Sequence, residues 1–433
     1  MYIKVQRHLN YLYFRYGILK NRRNFSSHKP AIILGIESSC DDTGCGIVDS
    51  NGNILGEALH SQHSLHLKHG GIIPSIAQNM HRQHITEVCE NALRSANLKL
   101  RDIDAIAATI KPGLPLSLEI GKRFGKYLAV RGNKPFIPIH HMQAHALTVR
   151  ITEKVDFPYL VLLISGGHCM LVVVQNVNQF IMLGTTLHNA PGEVLDKVAR
   201  RLKLKNIPEF NNMNGGQAIE TAACKATNVD QFFFGDSMGS RTDCQFSFSG
   251  LLGACTRHIK QQEEKYNITA DMIIPDVYNL CAGFQLAIAK HLCHKTQRAI
   301  EFLDHINLIP LHKRTLVISG GVACNNFIAR ALNILCSELN YKFVRTTPKL
   351  CTDNGVMIAW NGVEKWIYGI DIIRNKDEIE NVRIENKASI GEDWIERIKV
   401  KGLKCKRIQI EKKLFVDSII ANDAVTISSN CIR

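Results

Sequence analysis

Ile32-Ile33-Leu34-Gly35-Ile36-Glu37-Ser38-Ser39-Cys40-Asp41-Asp42-Thr43-Gly44-Cys45-Gly46-Ile47-Val48 is the stretch on which the reading of the fold turns. Ile32 to Leu34 read as an apolar strand, Glu37 to Thr43 as a polar turn and Gly46-Ile47-Val48 as a second strand. Asp49-Ser50-Asn51-Gly52-Asn53 is then a hairpin turn before a third strand start. Tyr159 to Gly184 repeats the plan: a strand from Leu160 to Ile164, the turn Ser165-Gly166-Gly167-His168, a strand from Leu171 to Val174, the hairpin Gln175 to Asn178, and a strand from Phe180 to Leu183. Two copies of one unit predict a duplicated α/β fold whose turns face a shared cleft. Two unrelated hairpins are the alternative.

Working outward, helical patterns are expected around Met80 to Ala96 and around Val277 to Leu303. The strand Leu316-Val317-Ile318 runs into Ser319-Gly320-Gly321-Val322-Ala323-Cys324-Asn325-Asn326 and a helix from Phe327. Strand, glycine turn and helix together offer backbone N–H groups and a helix N-terminus to a phosphate or nucleotide. Beyond Gly369 the chain is a charged mixture without turn motifs, read as an appended tail that packs back on the lobes. The expected organisation is a leader over 1–30, a first lobe over 31–150, a second over 151–370 and an extension over 371–433.

Met1 to Pro30 contains no acidic residue, while Lys4, Arg7, Arg15, Lys20, Arg22, Arg23 and Lys29 recur among apolar side chains. A basic, acid-free segment able to form an amphipathic helix is the signature of a mitochondrial presequence, and Arg23-Asn24-Phe25 before Ser26-Ser27 reads as its cleavage site. A basic tail without a targeting role is the alternative. Cleavage after Phe25 removes six basic residues and lowers the formal net charge from +14 to +8. The remaining excess suits a polyanionic partner such as nucleic acid, and Lys122, Arg123 and Lys126 form one local basic cluster, to be weighed against an ordinary solvated helix face.

The chain has 433 residues, 45% of them apolar, enough for two or three domains with sizeable cores. No apolar run reaches the roughly 20 residues of a membrane-spanning helix, so membrane insertion is not expected. Fourteen cysteines are scattered without a C-x-x-C pair and read as reduced, mostly buried thiols.

His141 and His145 are four residues apart, so on a helix their imidazoles share a face and can hold one metal ion. A metallopeptidase is disfavoured, because the general-base position of H-E-x-x-H is occupied by Met142. Asp353, in Cys351-Thr352-Asp353-Asn354-Gly355, is a candidate third ligand, with a helix cap as its alternative. Two imidazoles and a carboxylate suit one divalent ion per subunit, iron or zinc, with positions left open for substrate phosphates. His60, His63, His66 and His69 recur every third residue, but their polar setting predicts solvent-exposed histidines rather than a second metal site.

Seven motifs occur together in one order: Gly35-Ile36-Glu37-Ser38-Ser39-Cys40-Asp41-Asp42-Thr43, His141-x-x-x-His145, Ile164 to His168, Gly192-Glu193-x-x-Asp196-Lys197, Phe246 to Gly250, Ser319 to Asn325, and Cys351 to Gly355. In that order they resemble the universal tRNA threonylcarbamoyltransferases, the TsaD-like family once called O-sialoglycoprotein endopeptidases. The resemblance spans about Ile32 to Gly362. Thr109 to Leu114 and Gly70 to Pro74 look most like its mitochondrial branch.

The resemblance implies an actin-like, Hsp70-like (ASKHA) fold of two α/β lobes around an interlobe cleft. It implies transfer of the threonylcarbamoyl group of threonylcarbamoyl-AMP to N6 of the adenine 3′ to the anticodon, in tRNAs reading codons that begin with A. His141, His145 and Asp353 would be the metal ligands. Ile164, Ser165, Gly166, Gly167, His168, Asp196, Gly216, Glu220, Asn325 and Thr352 would hold the adenylate. Asp41 and Asp42 are the candidates for orienting the adenine amine or taking its proton. A separate synthase would supply the donor, and relatives of the mitochondrial branch act as homodimers. His188, Leu252 and Lys111 depart from the family pattern, His188 standing where an acid is usual. An ASKHA small-molecule kinase and a noncatalytic nucleotide-binding scaffold are the rival readings; in the first the histidine pair would have no purpose.

Overall fold

The computed structural model describes residues 29–69, 71–236 and 238–414. The expected presequence lies outside the described residues apart from its last two positions. The body from Ile32 onward is built on two sheets.

In the first sheet, β1 (Ile32–Glu37), β2 (Asp42–Asp49), β3 (Ile54–Ser61), β4 (Ala105–Lys111) and β5 (Phe136–His140) lie in the order β3-β2-β1-β4-β5. The second uses β6 (Tyr159–Ile164), β7 (Cys169–Asn176), β8 (Gln179–His188), β10 (Thr315–Ser319) and β11 (Lys342–Arg345) in the matching order β8-β7-β6-β10-β11. In each sheet the central strand pairs antiparallel with the strand after it and parallel with the later one, so Leu34 faces Ile47 and Leu162 faces Leu171. The repeat read from the two opening hairpins is therefore a repeat of whole-sheet topology, the duplicated ASKHA architecture. The short strands β9 (Phe246–Ser247) and β12 (Glu392–Asp393) pair with β8 and extend the second sheet alone.

Nine helices carry the argument that follows: α1 (Pro74–Ser95), α2 (Pro115–Gly132), α3 (His141–Leu147), α4 (Pro191–Arg201), α5 (Gly215–Ala223), α6 (Ser249–Lys265), α7 (Val277–His305), α8 (Asn326–Glu338) and α9 (Gly355–Tyr368). β1 and β6 are apolar and buried at nearly every position because both faces of each sheet are covered. Successive strand side chains point to opposite faces. Ile32, Leu34 and Ile36 thus join a core with Ile85, Val88 and Ala92 of α1, while Leu160, Leu162 and Ile164 join the core of the second lobe. Ile33 on β1 and Val161 and Leu163 on β6 turn the other way into one shared cluster that also holds Met142 of α3 and Met357 of α9. That cluster lies between the sheets and fixes their spacing.

α9 falls within the interval 151–370 yet packs on β1 and β2 of the first sheet. The approach is backbone to backbone. A Cβ added at Gly35 would stand 2.1 Å from the Ala359 nitrogen, and one at Gly46 would stand 2.4 Å from the Val356 nitrogen. Glycine at these strand positions lets the start of α9, and Asp353 just before it, reach the first lobe.

The extension behaves as an outer strap as far as Leu414. Ile373 bridges Phe136, the Glu385 N–H donates to the Ile110 carbonyl at 3.0 Å, and Ile398, Ile410 and Leu414 enter the second core. Among the described residues every cysteine is a free thiol, and no helix is long and apolar enough to cross a membrane.

Gly46→Ala is expected to destabilise the protein by about 1–3 kcal/mol through overpacking against α9. Gly253→Ala, within α6 where an added Cβ meets only the Arg257 guanidinium at 3.6 Å, is expected to stabilise it by about 0.5–1 kcal/mol. Urea unfolding of both variants beside the wild type checks the pair; equal effects would remove the close-approach argument.

Candidate metal and nucleotide site

β5 runs without a linker into α3, so His141 is the first helical residue and His145 follows one turn later on the same buried face. Asp353 stands before Asn354, whose side chain caps α9 by accepting from the Met357 N–H at 2.9 Å. The cap is thus Asn354, which leaves the Asp353 carboxylate free to face α3. His145 Nε2 lies 3.0 Å and His141 Nε2 3.5 Å from the same oxygen, Asp353 Oδ1. One donor atom from each of the three lies within 4.8 Å of the others, so the group could hold a metal ion.

Glu37, fully buried at the end of β1, completes the arrangement. Its Oε2 accepts from the Thr109 hydroxyl at 2.7 Å and sits 3.1 Å from His141 Nδ1, while Oε1 accepts from the Ser39 N–H. A carboxylate on Nδ1 orients an imidazole so that Nε2 is left for a ligand. Burial disfavours protonated His141, but the Glu37 and Asp353 carboxylates outweigh it and raise its pKa to about 9. Burial likewise opposes ionisation of Glu37 and Asp353, and the His141 charge outweighs it, holding both carboxyls below their usual range. A buried and a half-buried anion with imidazoles between them call for positive charge, which protonated His141 or a bound cation can supply. The donor set fits a divalent ion.

His168 faces the same group. Burial first, then His141 and His145, lowers its pKa to about 4, so it is neutral at physiological pH. It ends the tight turn after β6, where the Ser165 N–H donates to the His168 carbonyl at 2.9 Å and the His168 N–H to Ser165 Oγ at 3.1 Å. Gly192 and Gly320 link this turn to Asp196, Gly216, Glu220, Asn325 and Thr352, the other residues expected to hold an adenylate. Gly192 packs on Ser165 and Gly166, and its N–H donates to the Ser165 carbonyl at 3.2 Å. Gly320, at φ +99°, lies so close to Ile164 that a Cβ would stand 2.4 Å from its carbonyl oxygen. The Asp196 carboxylate accepts from the backbone of Gly215 and Gly216 at the start of α5, and burial raises its pKa. Glu220 accepts from the Asn326 N–H at 2.6 Å, Asn325 caps α8 and bonds Gln285, and Thr352 faces Gly321. These residues gather at the carboxyl ends of β6 and β10, where open α/β sheets bind ligands.

Asp41 lies in the turn before β2, and Asp42 opens β2 opposite Ser61. Burial pushes the Asp42 carboxyl up to about 7 against the opposing Ser61 hydrogen bond, and its Oδ1 is buried without a hydrogen-bond partner. His81 braces this turn, with Nδ1 2.7 Å from the Thr43 hydroxyl and Nε2 3.0 Å from the Cys40 carbonyl.

Two sequence expectations need correction. Of the histidines 60, 63, 66 and 69 expected to be solvent-exposed, His66 is buried, with Nε2 3.0 Å from Gln62 Oε1. The cluster Lys122, Arg123 and Lys126 is ion-paired throughout, and of its three side chains only Arg123 is solvent-exposed. Lys122 and Arg123 both pair with Glu119, at 2.7 and 2.6 Å, and Lys126 pairs with Glu380 of the extension at 3.1 Å, with Lys122 and Lys126 buried. Sequence reading also missed the bond from Glu37 to His141. The two are 104 residues apart, and only the glutamate's position at a strand end, inside a polar turn, pointed to it.

Glu37→Gln keeps the side-chain shape and the three ligands but removes the charge behind His141. It is expected to weaken divalent-metal binding about 10–100-fold. Metal titration by calorimetry measures this; an unchanged affinity would separate Glu37 from the site.

A family model described as TsaD, tRNA N6-adenosine threonylcarbamoyltransferase, matches residues 53–360. The mitochondrial tRNA N6-adenosine threonylcarbamoyltransferase of Xenopus tropicalis is 46% identical over 398 residues, covering 92% of this chain and 97% of the relative. The mitochondrial enzyme of Homo sapiens is 46% identical, with 88% and 91% covered. A tRNA N6-adenosine threonylcarbamoyltransferase of Rhizobium etli is 39% identical, with 78% and 90% covered. Coverage at this identity, over the segment that carries both sheets and the histidine–aspartate group, places the chain in the tRNA N6-adenosine threonylcarbamoyltransferase family, as a mitochondrial transferase.

Proposed function

We propose that the protein transfers the threonylcarbamoyl group of threonylcarbamoyl-AMP to N6 of the adenine at position 37 in mitochondrial tRNAs that read ANN codons. The observation that carries this reading is the convergence of His141, His145 and Asp353 beside the Ile164 to His168 turn, in a chain of this family. The donor is an activated mixed anhydride. A new N6–C bond replaces the C–O bond to phosphate, AMP departs, and one proton leaves the amine. No covalent enzyme intermediate is needed, so positioning can carry much of the barrier.

His141, His145 and Asp353 would hold a divalent ion, iron or zinc, which when bound supplies Lewis-acid charge at the anionic end of the adenylate. Glu37 keeps the His141 imidazole turned toward that ion. The Ser165 to His168 and Gly320-Gly321 turns present N–H groups to the phosphate, with Asn325 and Thr352 alongside. Asp196, Gly216 and Glu220 would take the nucleoside. Asp42, set near pH 7 by burial, is poised to accept the amine proton, with Asp41 orienting the amine. A separate synthase would make the donor, the setting would be the matrix, and the active species would be a homodimer.

Transfer from preformed threonylcarbamoyl-AMP to matrix tRNA, read as modified nucleoside by mass spectrometry, tests the assignment. His145→Ala is expected to lower the rate by a factor on the order of 100. ATP-dependent phosphorylation of a small alcohol with no tRNA product would favour a kinase instead.

For Asp42 the expected rate rises with pH through about 7, the value burial sets for its carboxyl, and Asp42→Asn removes that limb. The stability effect has the opposite sign. A carboxyl held above its unfolded value of 3.8 costs folding as pH rises from there through about 7, so Asp42→Asn should be the more stable protein at pH 8. A variant that keeps the wild-type rate limb would remove Asp42 from proton transfer.

A further inference from the structure

Two adjoining hollows of about 530 and 220 Å³ lie between α2 and the extension and meet at Val130. Eight basic side chains and two carboxylates line them. Glu119 takes Lys122 and Arg123, and Glu380 takes Lys126, which uses both carboxylates. Among the described residues no carboxylate pairs with the remaining five cations, Arg131, Lys134, Arg374, Lys376 and Arg383, and all but the half-buried Lys134 are exposed. Asp377 and Glu378 follow Lys376 in the chain but line neither hollow. Three of the five cations are nevertheless fixed, by uncharged partners. The Arg131 guanidinium lies 5.7 Å from the centre of the Tyr127 ring and donates to its hydroxyl, Arg374 lies 5.8 Å from the centre of the Trp366 ring, and Lys134 Nζ donates to the Arg101 carbonyl at 2.9 Å. On other faces acids hold the cations, as Glu263 holds Arg201 and Glu264 holds Lys260. A ring or a carbonyl orders a cation without neutralising it, so this groove keeps its positive field.

We propose that this groove, formed by the second half of α2 and residues 374–383, is the surface on which the tRNA backbone docks, with Arg131, Arg374 and Arg383 as its principal phosphate contacts. A guanidinium offers paired N–H donors that match two phosphate oxygens, and each phosphate neutralised releases counterions. The groove also begins where the substrate must arrive. The Leu114 N–H donates to the Ser39 carbonyl at 2.8 Å and the Gly121 N–H to Ser38 Oγ at 3.2 Å, while Ser39 Oγ lies 3.1 Å from His141 Nδ1. From Glu119 to Arg131 the larger hollow then follows the helix for roughly 18 Å. An RNA seated there lies beside the turn that carries Asp41 and Asp42, and in this respect the inference rests on the function proposed above. A second copy of the chain fits the groove less well. A two-fold contact sets one patch against itself, and here that would oppose surplus positive charge to surplus positive charge.

Binding of the full-length protein to a mitochondrial tRNA transcript is measured by fluorescence anisotropy across a salt series, without a donor, so that the result does not depend on transfer. Arg131→Gln, Arg374→Gln and Arg383→Gln combined are expected to weaken binding on the order of 10–100-fold at about 0.1 M salt and to lower the slope of log affinity against log salt by about 2. Lys399→Gln, Lys401→Gln and Lys404→Gln combined remove the same charge from another part of the extension and should leave affinity and slope nearly unchanged. In transfer assays the groove variant should show a raised KM for tRNA at unchanged kcat, the mark of lost uniform binding. Acetylation of the wild-type protein needs no variant: Lys134 and Lys376 should react more slowly once tRNA is added.

A groove variant that binds tRNA as tightly as the control variant would overturn the proposal, as would Lys134 and Lys376 reacting equally with and without tRNA. Protection of those lysines that grows with protein concentration in the absence of RNA would give the face to a second copy of the chain instead. Absence of transfer by a wild-type protein that binds tRNA through the groove would count against the proposed reaction and leave the docking surface standing.

Discussion

The Asp353 carboxylate, held against two imidazoles of the other lobe, is the contact on which the site depends. It exists because α9 can lie directly on β1 and β2, and α9 can do so because Gly35 and Gly46 carry no side chain. Any Cβ there would push the helix away by more than the tolerance of a metal or nucleotide site, which is a fraction of an ångström. Backbone packing in the first lobe thus sets ligand geometry at the cleft. The shared apolar cluster reinforces it, since Met142 of α3 and Met357 of α9 are buried in the same core.

Electrostatics then make the site selective for positive charge. Glu37 is a buried and Asp353 a half-buried carboxylate on opposite sides of His141, and removing either would leave the remaining charges poorly matched. Such a group is costly to bury without a cation. Neutral His168 and the N–H groups of the neighbouring turns add donors without adding a competing full charge. Besides Asp353, the second lobe contributes turns and caps at this face, which suits a ligand that brings its own negative charge.

The fold was largely legible before any coordinates. The apolar runs Ile32 to Leu34 and Leu160 to Ile164 match strands buried on both faces, and helices occur near Met80 and from Val277 where the pattern placed them. The histidine pair followed from helical geometry alone. The helix α9 was assigned by order along the chain to the second lobe's interval, and its packing on the first sheet was invisible because no local pattern encodes a crossing. The pairing of Lys126, in the basic cluster on α2, was not legible because its partner Glu380 lies 254 residues away.

By itself the sequence determined which residues form strands, turns and helices, that the unit is repeated, and that His141 and His145 share a helical face. Those are consequences of short-range sterics and hydrophobic period, which act within a few residues. Only the tertiary structure decided that Asp353 and Glu37 bracket His141, that Asn354 rather than Asp353 caps α9, and that His66 is buried. Each of these is a contact between elements distant in sequence or a choice between neighbouring side chains, settled by how closely two backbones can approach and where burial leaves a charge its partner.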